Sequence, residues 1–161
     1  MNFSIRQIEK SDNPFLAKII RNTLAEFGAN HKGTVYWEPT TDTLYDLFQT
    51  AGAVYFVAEI DGKIVGGGGI YPTADLPEGV CELVKMYLAP EGRGVGLGRT
   101  LIEKSLAFAR EAGYKKVYLE SMPELKKALG IYEKFGFQYL DAQMGSSGHF
   151  GCQLWMIKDI A

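Results

Sequence analysis

Apolar side chains recur every three or four positions in four parts of the chain, a spacing that predicts amphipathic helices. The predicted helices cover residues 13–27, 41–50, 97–112 and 121–135. Asn13 and Pro14 provide start signals for the first helix, a capping residue followed by a first-turn proline. Ser121 and Glu124 have the spacing of a capping box, so the fourth helix is expected to begin there.

Seven other stretches are rich in β-branched and aromatic residues, which predicts strands between and around the helices. The predicted strands cover residues 3–8, 53–60, 63–71, 80–88, 116–120, 137–142 and 150–160. Asp61 and Gly62 separate the second strand from the third as a two-residue hairpin turn. Helices interleaved with a hairpin predict an α/β fold, with a mixed sheet covered on both faces.

The third predicted strand contains four consecutive glycines at 66–69. Glycine weakens the interior of a strand unless another group approaches the backbone closely. Two interpretations are open at this point. The glycines either form a bulge or bend, or they leave room for a ligand such as an acyl group larger than acetyl.

The composition limits the kinds of protein this chain can be. Its 161 residues are 47% hydrophobic and 22% charged, enough for one buried core, so we predict a single domain over residues 1–161. The net charge of -2 provides no general attraction for nucleic acid or anionic lipid. No apolar signal segment or membrane-spanning run is present, so we expect a cytoplasmic protein with no membrane partner.

The two cysteines, Cys81 and Cys152, do not have the spacing of metal ligands. In a reducing cytoplasm a disulfide between them is not expected. Both are predicted to be small buried side chains in strands. The sequence therefore predicts no metal site.

A glycine-rich turn lies between the fourth predicted strand and the third predicted helix. Residues 90–99 read Pro-Glu-Gly-Arg-Gly-Val-Gly-Leu-Gly-Arg, with glycine at four alternate positions. Bare N–H groups at the start of a helix are suited to phosphate, because the helix dipole is positive there. The dinucleotide pattern G-x-G-x-x-G does not fit, and no G-K-[ST] follows as a Walker loop requires. The turn therefore predicts a phosphate site of another kind.

Two motifs together resemble the GNAT superfamily of N-acetyltransferases. Arg93-Gly94-Val95-Gly96-Leu97-Gly98, between a strand and an amphipathic helix, is similar to the acetyl-CoA turn of that superfamily. The segment 128–137, Ala-Leu-Gly-Ile-Tyr-Glu-Lys-Phe-Gly-Phe, is similar to its second hallmark, a helix ending in Tyr-x-x-x-Gly-Phe. The resemblance covers nearly the whole chain and implies a mixed, mostly antiparallel sheet of six to seven strands with helices on both faces. Residues 145–156 further resemble a bacterial subgroup whose acceptor is uncertain.

The resemblance also implies a cofactor site. Acetyl-CoA is the expected co-substrate, with its pyrophosphate on the backbone N–H groups between Gly94 and Arg99. In the family the strand before this turn separates from its neighbour and pairs with the pantetheine arm. Here that role falls to Met86, Tyr87 and Leu88, and one of their N–H groups would polarise the thioester carbonyl. The expected cofactor-binding residues are Met86, Tyr87, Leu88, Arg93, Gly94, Val95, Gly96, Leu97, Gly98 and Arg99.

Two catalytic residues are implied for direct attack of an amine on the thioester. An alkylamine with a pKa of about 10.4 is protonated at neutral pH and needs a base. Glu82, on the strand that leads to the cofactor turn, is the first candidate, and Glu120 is the alternative. Tyr132 matches the position of the family's general acid, which serves the leaving thiolate.

Other features of the resemblance leave questions open. The asparagine that many members use to hold pantetheine has no counterpart here, because Pro123, Glu124 and Leu125 occupy that region.

A non-catalytic acyl-CoA-binding or regulatory module of the same fold is the alternative function. The acceptor is expected to be a small-molecule amine or a protein amine, and nucleic acid is not an expected partner. Dimers are common in proteins that resemble this one, so a homodimer is an allowed assembly.

The acceptor is expected to contact three loops, 29–40, 73–79 and 143–149. The candidates for the lining of its pocket are His31, Tyr36, Trp37 and His149. No motif in these loops identifies the acceptor. For His149, a solvated position in the loop is favoured over a place in the pocket.

Overall fold

The computed structural model describes all residues from Met1 to Ala161. Seven strands form one sheet in the spatial order β1-β2-β3-β4-β5-β7-β6. The strands are β1 (Phe3–Gln7), β2 (Val54–Ile60), β3 (Lys63–Tyr71), β4 (Val80–Leu88), β5 (Lys116–Ser121), β6 (Gln138–Leu140) and β7 (Leu154–Asp159). The helices are α1 (Asn13–Glu26), α2 (Leu44–Leu47), α3 (Leu97–Glu111) and α4 (Lys126–Lys134). The predicted α/β fold with a mixed sheet is confirmed.

Apolar side chains are buried on both faces of the sheet. Strand β2 shows this, because its successive side chains point to opposite faces. Tyr55 and Val57 lie in the core beneath α1, together with Leu16 and Leu24 of that helix. Val54 lies in the opposite core. That second core contains apolar residues of α3 and α4. The sheet is thus covered on both faces, as the pattern of the sequence predicts.

The sheet is antiparallel except between β4 and β5, and this parallel pair is short. Val80–Glu82 pairs with Lys116–Tyr118, and no pairing between the two strands continues beyond Glu82. β5 continues to Ser121 beside β7, while β4 continues to Leu88 beside β3. The two strands therefore separate after Glu82 and leave a fork in the middle of the sheet.

A bulge in β4 changes the direction of one side chain at this fork. Lys85 has φ +53, and the register with β3 shifts between Gly67 and Gly69. A positive φ is unfavourable for a lysine, and a bulge interrupts the normal alternation of side chains. As a result Glu82, Val84 and Lys85 all line one cavity, which regular alternation would not allow.

The four glycines of β3 are explained by close packing, not by room for a ligand. A Cβ on Gly67 would lie 2.5 Å from the Phe56 carbonyl oxygen, and one on Gly69 would lie 2.1 Å from that of Val54. A Cβ on Gly68 would meet the side chain of Met86 at 2.3 Å. The register also shifts at this part of β3 on both sides. The bulge interpretation is correct, and the idea that these glycines admit a larger acyl group is not supported.

Several predicted element boundaries were wrong. Asn13 is the first residue of α1 rather than its cap, and its side-chain oxygen accepts from the Tyr45 N–H. The predicted capping box at Ser121 does not form, because Ser121 pairs with Leu154 as the last residue of β5. The helix predicted over 41–50 is α-helical only in α2, after a 3-10 turn over Pro39–Thr43. The last two strands are shorter than predicted.

Candidate active site

The glycine turn offers a row of free backbone donors. None of the N–H groups from Gly94 to Arg99 donates to any group of the protein, and the first intrahelical bond runs from the Thr100 N–H to the Gly96 carbonyl. Gly94 and Gly96 have φ +73 and +88, conformations that favour glycine. The turn thus places unpaired N–H groups at the positive end of α3, and this arrangement is suited to binding an anion.

The side chain of Arg93 is fully engaged within the protein. Its guanidinium donates to both oxygens of Glu26 at 2.8 and 2.9 Å and to the Leu88 carbonyl at 3.0 Å. The same group lies 5.0 Å from the centre of the Phe27 ring. Arg93 therefore connects the glycine turn to the end of α1 and to the end of β4.

The end of β4 has one free edge. Tyr87 and Leu88 pair with Gly67 and Gly66 of β3, and their other side faces the fork. An extended ligand is suited to such an edge, because unpaired strand groups can bind it as an added strand. The fork and the glycine turn are adjacent along the chain, with Ala89 and a 3-10 turn over Pro90–Gly92 between them.

Tyr132 lies on α4 with 7% of its surface exposed, and its ring packs edge-on against Phe137 at a centroid distance of 5.9 Å. Its hydroxyl makes no hydrogen bond to the protein. Burial raises the pKa of Tyr132 above its ordinary value. Proton transfer from a tyrosine of pKa about 10 to a thiolate of pKa about 8.5 is uphill by about 2 kcal/mol. Burial increases that cost, so the hydroxyl is better suited to donating a hydrogen bond than to complete ionisation.

Glu82 is a buried carboxyl group at the point where β4 and β5 separate. Only 3% of the residue is exposed, and one oxygen accepts a hydrogen bond from the Thr73 hydroxyl at 2.6 Å. Burial raises the pKa of Glu82 to about 7, with a further contribution from the nearby charge of Glu120. A carboxyl group with this pKa is poised to take up a proton near neutral pH.

Glu82 lines a cavity of about 210 Å³ that the three predicted loops enclose. Glu38 and Thr40 come from the first loop, Thr73 from the second, and Ser147 and His149 from the third. Of the four candidates for the lining of an acceptor pocket, only His149 lines this cavity. Tyr36 is not part of the lining, His31 lies 3.4 Å from Glu124, and Trp37 is 57% exposed.

A chain of charged side chains begins at one wall of this cavity and continues behind it to Glu120. Lys85 Nζ lies 2.8 Å from Glu38 Oε2, and His149 Nε2 lies 3.2 Å from the same oxygen. His149 Nδ1 lies 3.6 Å from Glu120 Oε1. Two acidic and two basic groups alternate, so their formal charges cancel when His149 is protonated.

The buried charges change each other's protonation. Burial opposes ionisation of Glu38, but His149 and Lys85 outweigh it and lower the pKa of Glu38 to about 2. Burial likewise opposes the charge of His149, but Glu120 and Glu38 raise the pKa of His149 to about 9. The pKa of Glu120 is lowered despite burial, because His149, Ser147, Tyr118 and Gln143 bond to it. Glu120 is thus ionised at neutral pH, whereas Glu82 is close to its midpoint.

The prediction that His149 is a solvated loop histidine was wrong, and no pattern in the sequence indicates its partners. Its side chain is 11% exposed because Glu38 and Glu120 hold it from both sides. Lys85 was also not predicted to take part. Its side chain is 4% exposed, and only the unforeseen bulge in β4 directs it into the cavity.

Comparison with known proteins now identifies the class of this chain. Residues 16–137 match the model of the acetyltransferase (GNAT) family. The chain is 39% identical over 157 residues to the uncharacterized N-acetyltransferase YjgM of Escherichia coli K12, covering 97% of this chain and 94% of that protein. The chain therefore belongs to the GNAT family and is an N-acetyltransferase. The alternative of a non-catalytic module is set aside.

Solved structures agree on the fold. An acetyltransferase of the GNAT family from Staphylococcus aureus Mu50 superposes with a TM-score of 0.87 at 19% identity, covering 99% of this chain and 100% of that chain. A second structure is yncA, a putative acetyltransferase from Salmonella typhimurium, solved with acetyl-CoA. It has a TM-score of 0.76 at 22% identity and covers 100% of this chain and 95% of that chain. No helix here is long and apolar enough to cross a membrane.

Proposed function

We propose that Glu82 is the general base and Tyr132 the general acid for direct transfer of an acetyl group from acetyl-CoA to a primary amine. The observation that carries this proposal is the position of Glu82. It is a buried carboxyl group with a pKa of about 7, on the wall of a cavity beside the fork. The proposal treats residues 1–161 as one domain.

The cofactor would lie along the fork and end at the glycine turn. Its pantetheine arm would pair with the free edge of Met86, Tyr87 and Leu88, and its pyrophosphate would accept bonds from the N–H groups of Gly94 to Arg99. The unpaired state of these donors supports this placement. Arg93 acts indirectly in this arrangement, because Glu26 and Phe27 hold its side chain.

The base must take a proton from an ammonium group before attack. Glu82 is a better candidate for this base than Glu120. Glu82 has one hydrogen-bond donor, Thr73, and half of its population is ionised near pH 7. Glu120 accepts bonds from Tyr118, Gln143 and Ser147, and its lowered pKa makes it a weak base. Water between Glu82 and the amine would extend its reach into the cavity.

The protons balance over the complete reaction. The ammonium group loses one proton to Glu82 before attack, and the nitrogen loses a second as the amide forms. The C–S bond breaks while Tyr132 transfers its hydroxyl proton to the departing sulfur and regains the second proton from the nitrogen, so that no free tyrosinate accumulates. One of the two protons ends on the thiol and the other goes to solvent. Tyr132 thus stabilises the developing charge on sulfur.

The acceptor class follows from the cavity. A volume of about 210 Å³ suits a small amine or the first residue of a protein chain rather than a folded surface. The side chains of Lys85, Glu38, His149 and Glu120 have no net charge together when His149 is protonated. The ionised form of Glu82 then adds one negative charge to the cavity, which favours a cationic amine. Nucleic acid is not a proposed partner, and a homodimer stays a prediction.

The proposal is tested by release of free thiol from acetyl-CoA across a panel of small amines and peptide N-termini. With the best acceptor, Glu82→Gln should lower turnover by about 100-fold or more, since loss of a general base has effects of this size. Acetyl-CoA binding, measured by calorimetry, should be unchanged. Glu111→Gln, an exposed change at the end of α3, is the matched control. Turnover by Glu82→Gln within threefold of wild type would refute the assignment.

A further inference from the structure

Three side chains, one in the cavity wall and two behind it, form a compact set of metal-ligand types. Glu120 lies at the end of β5, whereas His149 and Cys152 lie in the turn before β7. One donor atom from each, an oxygen, a ring nitrogen and a sulfur, lies within 4.8 Å of the other two. We propose that Glu120, His149 and Cys152 bind a divalent transition-metal ion of the Zn²⁺ class. The proposal stands on geometry and does not depend on the catalytic assignment.

The spacing of the three donors fits a single small ion. Zinc lies about 2.0–2.3 Å from nitrogen, oxygen and sulfur ligands, so two ligands of a tetrahedral site are about 3.5 Å apart. Glu120 Oε1 and His149 Nδ1 are 3.6 Å apart. The Cys152 sulfur lies within 4.8 Å of both of these atoms, so it has to approach them when the ion binds. Three protein ligands leave the fourth position for water.

Neighbouring residues already orient two of the ligands. Glu38 Oε2 lies 3.2 Å from His149 Nε2, so a hydrogen bond there would leave Nδ1 as the free donor that faces Glu120. A carboxylate on the second nitrogen is the usual partner of a metal-bound histidine. Lys85 in turn holds Glu38 at 2.8 Å, and the Tyr118 hydroxyl holds the second oxygen of Glu120 at 2.7 Å.

The unpartnered thiol of Cys152 is a second indication of a metal site, and the thiol of Cys81 serves as the comparison. Both cysteines are buried and unbridged. The Cys81 thiol has a hydrogen-bond acceptor, the Lys116 carbonyl at 3.8 Å, whereas the Cys152 thiol has none. Cys152 is only 9% exposed, so its thiol cannot rely on bulk water instead. It is left beside a carboxylate and an imidazole.

The donor set selects the kind of ion. Sulfur and imidazole favour zinc and related transition metals, whereas magnesium and calcium prefer oxygen alone. On binding, the thiol and the imidazolium each release one proton to solvent, and the ion joins β5 to the turn before β7. The sequence did not predict this site, because Glu120 is distant from the other two ligands and the cysteine spacing matches no metal motif.

Cobalt is the most direct probe, because a thiolate bound to Co²⁺ produces a charge-transfer band that oxygen and nitrogen ligands do not. Tag-free protein treated with a chelator should bind one equivalent of Co²⁺, with that band and with the visible bands of a four-coordinate ion. Cys152→Ser should lose the thiolate band, and Cys81→Ser should retain it. Absence of the band in the wild type, or its persistence in Cys152→Ser, would overturn the proposal.

Zinc affinity and thermal unfolding provide a second readout. Competition with a chromophoric chelator should show that Glu38→Gln weakens Zn²⁺ binding 10- to 100-fold, as loss of an orienting carboxylate does. At Zn²⁺ a hundredfold above Kd, the Tm of the wild type should rise by about 5 °C. The Tm of Cys152→Ser should not change. Equal zinc affinity in wild type and Cys152→Ser would contradict the site even if the protein binds zinc elsewhere.

Discussion

The glycine turn and the cavity around Glu82 lie at opposite ends of the part of β4 that has separated from β5, and they are built from different groups. The turn offers unpaired backbone N–H groups, and its one engaged side chain, Arg93, bonds within the protein. The cavity instead gathers ionisable side chains from separate loops and strands around Glu82. Backbone donors suit a cofactor part that never varies. The side chains of the cavity set one another's protonation states, and such residues can be substituted without changing the fold.

The turn should fail when its backbone can no longer adopt the left-handed conformation. In Gly96→Val a β-branched residue would have to adopt φ +88, so the N–H groups should turn away from one another. We expect acetyl-CoA binding to be lost by calorimetry. The fold should survive, because a Cβ at this position would meet nothing within 4 Å.

Gly113 provides the matched control for that variant. It lies just beyond the other end of α3 with φ +91, and a Cβ there would also meet nothing within 4 Å. Gly113→Val should therefore cost similar stability but leave cofactor binding intact. Normal binding by Gly96→Val would show that the turn is not the phosphate site.

The glycine turn could be predicted from the sequence, whereas most of the cavity around Glu82 could not. The turn is local, so its glycines, the preceding strand and the following helix are all visible in residues 80–112. The wall of the cavity depends on contacts between distant residues, such as Glu38 with His149, and on a bulge at Lys85 that no local pattern predicts. Glu82 was chosen as a candidate base because it lies on the strand where the family often places one. Ser121 shows the reverse error, since sheet pairing overrode a local capping pattern.

Tyr132 is the residue that should affect chemistry at the cofactor end without affecting binding. Its hydroxyl makes no hydrogen bond to the protein, so Tyr132→Phe removes no internal contact. We expect turnover to fall about 100-fold, the lower range for loss of a general acid, with acetyl-CoA affinity and Tm nearly unchanged. Tyr139→Phe, which removes an exposed hydroxyl bonded to Glu133, is the control. Unchanged turnover in Tyr132→Phe would exclude the acid role.

The pH dependence of the rate should report on Glu82 at the acceptor end. The base must be ionised, so kcat/KM should rise with pH through an apparent pKa near 7. The Thr73 hydrogen bond lowers the pKa of Glu82, so Thr73→Val should move this limb to higher pH. A shift of about one pH unit is expected, with roughly tenfold lower kcat/KM below pH 7 and the same plateau at high pH.

Thr50→Val is the control for this shift, because its exposed hydroxyl bonds only to the Leu47 carbonyl. Its profile should match that of the wild type. A Thr73→Val profile that is lower at every pH, with no movement of the midpoint, would point to a structural effect rather than to Glu82. A limb that persists in Glu82→Gln would assign the titration to another group.

The smallest expected effect separates two roles for Arg93. If Arg93 supports the turn, Glu26→Gln should loosen the turn and weaken acetyl-CoA binding by about threefold, an effect typical of a solvent-exposed ion pair. If Arg93 instead binds phosphate directly, the same change frees its guanidinium and acetyl-CoA binding should tighten. The sign of the change in affinity therefore distinguishes the two roles. Glu103→Gln likewise frees Arg99, the other arginine near the turn, so equal tightening in both variants would indicate a general effect of charge rather than binding by Arg93. Because its exposed pair lies within one helix, that variant controls for a general change of charge near the cofactor.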